Sequence, residues 1–119
     1  MKYFFWNCKG AGNREFYAVM NDLRKTHNFH IMAIVEPRVS GVKADKIVEQ
    51  LNFESSCRVE AQGMSGGIWV LWNNSKVHVK ILNSSRHFIH GIVGEGSNEK
   101  WLFTVVYANP NAILKKTVF

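Results

Sequence analysis

The fold class that the sequence predicts is α/β, with a mixed sheet and two helices on one side of it. Two short apolar runs, residues 2–8 and 30–35, flank a segment whose apolar residues recur at helical spacing. Further strand-like segments, separated by turn residues, follow between residues 56 and 107. With 119 residues, of which 46% are hydrophobic, the chain has enough apolar surface for a single globular domain over residues 1–119.

The first forty residues predict a β-α-β unit. The first strand ends at Asn7, two glycines turn the chain, and Asn13 is a candidate helix N-cap. The predicted inward face of this helix has four apolar residues, Phe16, Val19, Met20 and Leu23. Pro37 stops the second strand. Because β-α-β crossovers are right-handed, the two strands should be parallel neighbours with Asn7 and Glu36 side by side.

A second helix is predicted over residues 42–51, with Ser40 as its N-cap. Its inward face has four apolar residues, Ala44, Ile47, Val48 and Leu51. Turn signals at residues 63, 73–74, 83–84 and 94–98 then predict an antiparallel meander. Residues 68–72 are apolar on both faces, which predicts a central strand.

Charge and cysteine usage indicate the partners and the compartment. Fifteen Lys and Arg residues against nine Asp and Glu residues leave a net charge of +6, which favours nucleic acid as a partner. Cys8 and Cys57 lack a C-x-x-C spacing and are predicted to be buried, reduced thiols. No apolar run reaches the ~18 residues of a membrane span, and no signal peptide follows Met1. We therefore expect an intracellular protein, nuclear or cytoplasmic, without a membrane partner.

Four sequence blocks occur in a recognisable order. They are residues 6–10 (Trp-Asn-Cys-Lys-Gly), the acidic strand end at Glu36, residues 65–72 (Ser-Gly-Gly-Ile-Trp-Val-Leu-Trp) and residues 103–110. Together they resemble the endonuclease/exonuclease/phosphatase superfamily, most closely the endonuclease region of plant non-LTR (LINE-type) retrotransposon polyproteins. The resemblance runs from residue 2 to about residue 116 and corresponds to the N-terminal half of such a domain. It implies the first half of a two-sheet α/β sandwich.

The resemblance also implies a metal site. Glu36 and Asn7 take the positions of residues that bind a divalent cation, Mg²⁺, and Asn7 also helps to place the scissile phosphate. The physical reason is that Mg²⁺ prefers hard oxygen ligands and keeps several waters.

The substrate residues follow from the same blocks. The resemblance implies that Tyr107 is the catalytic residue that orients or polarises the phosphate, and that either Asn109 or Asn111 contacts it. Basic residues in the loops after the first two strands either hold a phosphate backbone near Glu36 or form a solvated basic rim: Lys9, Arg14, Arg38 and Lys43.

The sequence also departs from the family pattern. Members carry a later Gly-Asp-x-Asn segment and a terminal Ser-Asp-His segment, and neither is present in this sequence. The two Asp residues, Asp22 and Asp45, lie on predicted helix surfaces, so no Asp is available to activate a water. We therefore expect a truncated phosphodiesterase domain of retroelement origin that is inactive alone. The alternative is a non-catalytic basic domain that binds nucleic acid or another partner.

The half-domain hypothesis has one further consequence. A sheet that normally packs against a second sheet would present an apolar inner face without a cover. The hypothesis therefore predicts self-association through that face.

Overall fold

The computed structural model describes residues 2–62 and 66–108, together with the backbone of residues 111–118. The elements in chain order are β1 (Tyr3–Asn7), α1 (Arg14–Thr26), β2 (Ile31–Val35), α2 (Gly41–Gln50), β3 (Ser55–Val59), β4 (Ile68–Trp72), β5 (Val79–Ser85), β6 (Phe88–Val93), β7 (Trp101–Ala108) and β8 (Asn111–Val118). They form a mixed α/β structure with two helices and two sheets.

The first sheet has the strand order β1-β2-β4-β3. β1 and β2 are parallel, with Asn7 opposite Val35, and β4 is antiparallel to both β2 and β3. Every residue of β2 and β4 is buried, because these two strands are covered on both faces. The parallel β1-β2 pair and the central position of residues 68–72 are therefore confirmed.

Both helices pack on one face of the first sheet, as the sequence predicted. The Asn13 side chain accepts a hydrogen bond from the Phe16 N–H at 2.9 Å, which confirms the N-cap of α1. The ring of Phe16 stacks on Trp6 with its centroid 5.4 Å away. Val19, predicted to face inward, is 39% exposed instead. The buried stripe of α1 is thus narrower than the periodicity suggested.

The N-terminus of α2 differs from the prediction. Ser40 occupies the N-cap position, but its side chain makes no capping hydrogen bond. Instead, the Glu60 carboxylate accepts from the Gly41 N–H at 2.9 Å. A carboxylate is favoured at this place because the first turn of a helix carries partial positive charge.

The second sheet is antiparallel, with the strand order β5-β6-β7-β8. It packs on the free face of the first sheet, and the two share a core of buried side chains from both: Ile31, Ala33, Val35, Ile68, Val70, Trp72, Ile89, Val93, Phe103, Val105 and Tyr107. The expectation of an uncovered inner face was therefore wrong. Residues after Trp72 build a separate sheet that covers this face, so the segments from 56 to 107 do not form a single meander.

A second correction concerns residues 83–84, which were predicted to turn. They lie inside β5, where the register shifts between Ile81 and Asn83, and the chain reverses one step later, between β5 and β6. Asn and Ser are common in turns, but a β-bulge also accommodates them. Among the described residues, neither helix has the length and apolar character needed to cross a membrane.

Candidate metal and phosphate site

Three strand ends meet at one edge of the sandwich and bring together three side chains. Asn7 is the last residue of β1, and Glu36 follows β2 directly. Because β1 and β2 are parallel and in register, these two residues emerge side by side. Tyr107 comes from β7 of the second sheet and points into the space between the sheets, with 6% of its surface exposed. Asn7, Glu36 and Tyr107 therefore lie together, as the sequence analysis expected.

The Glu36 carboxylate is the centre of this group. The Tyr107 hydroxyl donates to Glu36 Oε1 at 2.7 Å, and Arg38 Nη2 lies 3.4 Å from the same oxygen. The Tyr107 hydrogen bond lowers the pKa of Glu36, and Arg38 and a side-chain hydrogen bond from Asn7 act in the same direction. Only 13% of the Glu36 side chain is exposed. The site therefore holds a fixed and ionised carboxylate.

Asn7 contributes a hydrogen-bond acceptor for which the described residues provide no donor. Its Oδ1 atom is buried and has no hydrogen-bond partner among the residues that the structure describes. A buried polar atom without a partner is costly, typically ~1–3 kcal/mol. An amide oxygen and a carboxylate at the ends of neighbouring strands are the types of ligand that suit a hard cation.

Tyr107 is a hydrogen-bond donor in this arrangement. Burial raises the pKa of Tyr107 above its ordinary value, and the hydrogen bond to Glu36 raises it further. The hydroxyl is therefore protonated at neutral pH and available to donate. The same group cannot act as a base near neutrality.

A cleft of about 240 Å³ adjoins this group, and Tyr107 forms part of its wall. The other residues that line it are Glu60, Gln62, Gly66, Gly67, Arg86 and His87. Arg86 donates to Gln62 Oε1 at 2.9 Å, and no carboxylate among the described residues pairs with it. The Glu60 carboxylate is engaged by Arg58 at 3.0 Å and by the Gly41 N–H. The lining of the cleft therefore holds one guanidinium, that of Arg86, which no described carboxylate neutralises.

The sequence did not predict Arg86 and His87 at the site; His87 was expected to be an ordinary strand histidine, and both residues lie in the turn between β5 and β6. This turn lies beside Tyr107 because β6 pairs with β7, and the His87 carbonyl accepts from the Tyr107 N–H at 2.8 Å.

The other predicted residues are spread more widely. Lys9 is exposed on the loop after β1 with a φ of 52°, and the Lys43 ammonium lies over Gly12. Arg14 is exposed at the start of α1. Asn109 and the side chain of Asn111 lie outside the described residues; the backbone of Asn111 begins β8.

The acidic and sulfur groups elsewhere do not add to the site. Asp45 pairs with Arg58 at 2.5 Å, and Asp22 lies exposed on α1. The Cys8 thiol donates to the Glu36 carbonyl oxygen at 3.5 Å, and burial raises its pKa to about 11. Both cysteines are free and half-buried rather than fully buried. In the described part of the chain, no three His, Cys, Asp or Glu side chains form a group that could hold a metal.

No family model matches the chain, and no curated protein matches it.

Proposed function

We propose that this chain has the metal- and phosphate-binding part of an endonuclease/exonuclease/phosphatase-like site, and that it binds a phosphodiester together with Mg²⁺ without hydrolysing it. The observation that carries the proposal is the unsatisfied Oδ1 of Asn7 beside the ionised carboxylate of Glu36. A cation would satisfy both oxygens at once.

The residues present fit Mg²⁺ as a partial ligand shell. Glu36 and Asn7 would hold the ion through two oxygens, and waters and phosphate oxygens would complete its preferred six-fold shell. When bound, the ion would supply positive charge to the phosphate. The Tyr107 hydroxyl donates a hydrogen bond that orients the Glu36 carboxylate, which would hold the ion.

The surroundings support a nucleic-acid ligand. Arg38 lies at the rim with 42% of its side chain exposed, and Arg86 and His87 line the adjoining cleft. Guanidinium groups bind phosphate oxygens in bidentate fashion, which fixes the position of a phosphate backbone. The chain as a whole carries a charge of +6.

Hydrolysis needs an oriented group that activates water; His87 lines the cleft, but no described carboxylate hydrogen-bonds to its ring to orient it. Tyr107 is protonated at neutral pH, and Glu36 already accepts hydrogen bonds from Tyr107 and Arg38. Both Asp residues lie away from the site. Loss of a general base typically lowers a rate ~10²–10⁴-fold. We expect no Mg²⁺-dependent nicking of supercoiled plasmid above background; nicking that Glu36→Ala abolishes would contradict this expectation.

Metal binding is the direct test of the proposal. Mn²⁺ can replace Mg²⁺, and its free concentration can be measured by electron paramagnetic resonance. We expect one Mn²⁺ site that Glu36→Gln weakens at least about tenfold. The matched control is Glu95→Gln, which neutralises an exposed carboxylate in the loop between β6 and β7. Equal affinity in the wild type and Glu36→Gln would reject the metal site.

The second candidate function is nucleic-acid binding without a metal, which is favoured by the net charge and by the guanidinium of Arg86, with which no described carboxylate pairs. Fluorescence anisotropy with a labelled oligonucleotide separates the two candidates. Binding that needs Mg²⁺ and is weakened by Glu36→Gln supports the first. Binding that is unchanged in EDTA and lost only in Arg38→Gln and Arg86→Gln supports the second.

A further inference from the structure

We propose that Gly67 is a positioning residue for the Glu36 carboxylate, an inference that rests on the proposed function. The starting observation is the backbone of the segment that carries Glu36. Glu36 and Arg38 have φ values of 56° and 57° on either side of Pro37. Residues with a Cβ adopt this left-handed conformation rarely, and it persists only where the surroundings impose it.

Backbone hydrogen bonds hold this segment from two sides. From the loop after β1, the Gly10 N–H donates to the Glu36 carbonyl and the Ala11 N–H to the Pro37 carbonyl, each at 2.8 Å. From the loop before β4, the carbonyl of Gly67 accepts from the Glu36 N–H at 3.1 Å. The carbonyl of Gly66 accepts from the Arg38 N–H at 3.3 Å. The loop before β4 therefore helps to fix the backbone position of Glu36.

Gly67 lies so close to Pro37 that a side chain at position 67 would clash with it. A Cβ at position 67 would lie 2.9 Å from Pro37 Cγ, 3.1 Å from Pro37 Cδ and 3.2 Å from the Ala61 nitrogen. A Cβ at Gly66 would meet Tyr107 Cε2 at 3.5 Å, an ordinary contact distance. Both glycines have positive φ, 76° at Gly66 and 94° at Gly67. They therefore differ mainly in their contact with Pro37.

This difference gives the expected effect of a substitution. In Gly67→Ala, the new methyl group must displace Pro37, and the adjacent Glu36 moves with it. The carboxylate then no longer meets the Tyr107 hydroxyl and Asn7 together. Gly66→Ala introduces comparable backbone strain without displacing Pro37.

The first test is Mn²⁺ affinity by electron paramagnetic resonance. We expect Gly67→Ala to weaken binding about tenfold, the usual effect of disturbing a group that supports a metal ligand. Gly66→Ala should change the affinity much less. Pro37→Ala removes Cγ and Cδ of Pro37, while the Ala61 nitrogen stays 3.2 Å from the new methyl group, so the double variant Pro37→Ala/Gly67→Ala should regain part of the lost affinity. If Gly67→Ala alone does not fold, the double variant is compared with Pro37→Ala, and a full loss of about tenfold between these two would mean that the methyl group does not act through Pro37.

A second measurement does not depend on the metal. Tyr107→Phe removes the hydroxyl that donates a hydrogen bond to Glu36. In the wild-type background, this substitution should lower the urea midpoint. If Gly67 positions Glu36, the same substitution should lower the midpoint much less in the Gly67→Ala background, and part of the full drop should return in the Pro37→Ala/Gly67→Ala double variant. Equal shifts in both backgrounds would overturn the inference. Absence of Mn²⁺ binding by the wild type would refute the proposed function and leave this measurement to decide on Gly67.

Discussion

The hydrogen bond between Tyr107 and Glu36 joins two residues that are 71 positions apart in the sequence. It also joins the two sheets, because Glu36 follows β2 and Tyr107 belongs to β7. The donor stabilises the ionised form of the carboxylate and lowers its pKa. A pKa that is lower in the folded protein than in the unfolded chain makes stability depend on pH.

Tyr107→Phe tests this dependence. The stability that a depressed carboxylate pKa contributes is present above the unfolded pKa and is lost as the pH falls through the folded pKa. We expect the variant to lose ~1–3 kcal/mol in the free energy of unfolding at about pH 7 and less at about pH 3, because the contribution of the depressed pKa is lost as the pH falls from the unfolded pKa of Glu36 towards its folded pKa. Urea denaturation in EDTA at both pH values measures the difference. A loss that does not vary with pH would show that packing of the ring accounts for the effect.

At the scale of residues, the sequence predicted two of the three site members from first principles. A polar residue at the end of one strand and a carboxylate at the end of its parallel neighbour must lie together, and Asn7 and Glu36 do. Tyr107 was expected at the site only because its block resembles a known family. No local pattern relates a strand in one sheet to a loop in the other, which is also why Arg86 and His87 were missed.

At the scale of elements, the cap of α1 is the clearest local determinant. The Asn13 side chain satisfies the Phe16 N–H, and the helix then directs Phe16 and Met20 into the core. We expect Asn13→Ala to lower the free energy of unfolding by ~1 kcal/mol, because the N–H loses its acceptor. Ser40→Ala is the control: its side chain caps nothing, so its urea midpoint should remain near that of the wild type.

The pairing of β6 with β7 depends on one glycine. Gly91 lies opposite Phe103, and a Cβ there would be 2.7 Å from Phe103 Cε1 and 2.8 Å from the Lys80 carbonyl oxygen. The carbonyl is part of the neighbouring strand and cannot move aside cheaply. We expect Gly91→Ala to lower the free energy of unfolding by ~1–3 kcal/mol in thermal or urea melts. Gly12→Ala, where the nearest atom is the mobile tip of Lys43, should have a small effect by comparison.

Strand positions were easier to predict than strand partners. Alternation of Val79 and Ile81 with polar neighbours indicates one buried face, but it does not say what covers that face. The run 68–72 is apolar on both faces, which places it centrally without naming its neighbours. The insertion of β4 between β2 and β3, and the separate second sheet, both follow from long-range packing that a single sequence does not display.

At the scale of the whole molecule, the shared core makes the two sheets one cooperative unit. Ile89 of β6 is fully buried and belongs to the cluster that also contains residues of β2 and β4. We expect Ile89→Ala to lower the free energy of unfolding by ~2–5 kcal/mol. The unfolding transitions measured by far-UV circular dichroism and by Trp fluorescence should shift together. Separate transitions by the two probes would mean that the sheets unfold independently, against the packing described.

The position of the site between the two sheets also has a kinetic consequence. The second sheet is built from hairpins between strands adjacent in sequence, whereas Glu36 and Tyr107 are 71 positions apart and belong to different sheets, so we expect their contact to form late in folding. A contact made after the rate-limiting step of folding affects unfolding alone. In stopped-flow chevron plots, Tyr107→Phe should therefore accelerate unfolding and leave the refolding arm unchanged. The Tyr107 hydroxyl would then affect the unfolding rate, whereas the refolding rate would depend on the local turns.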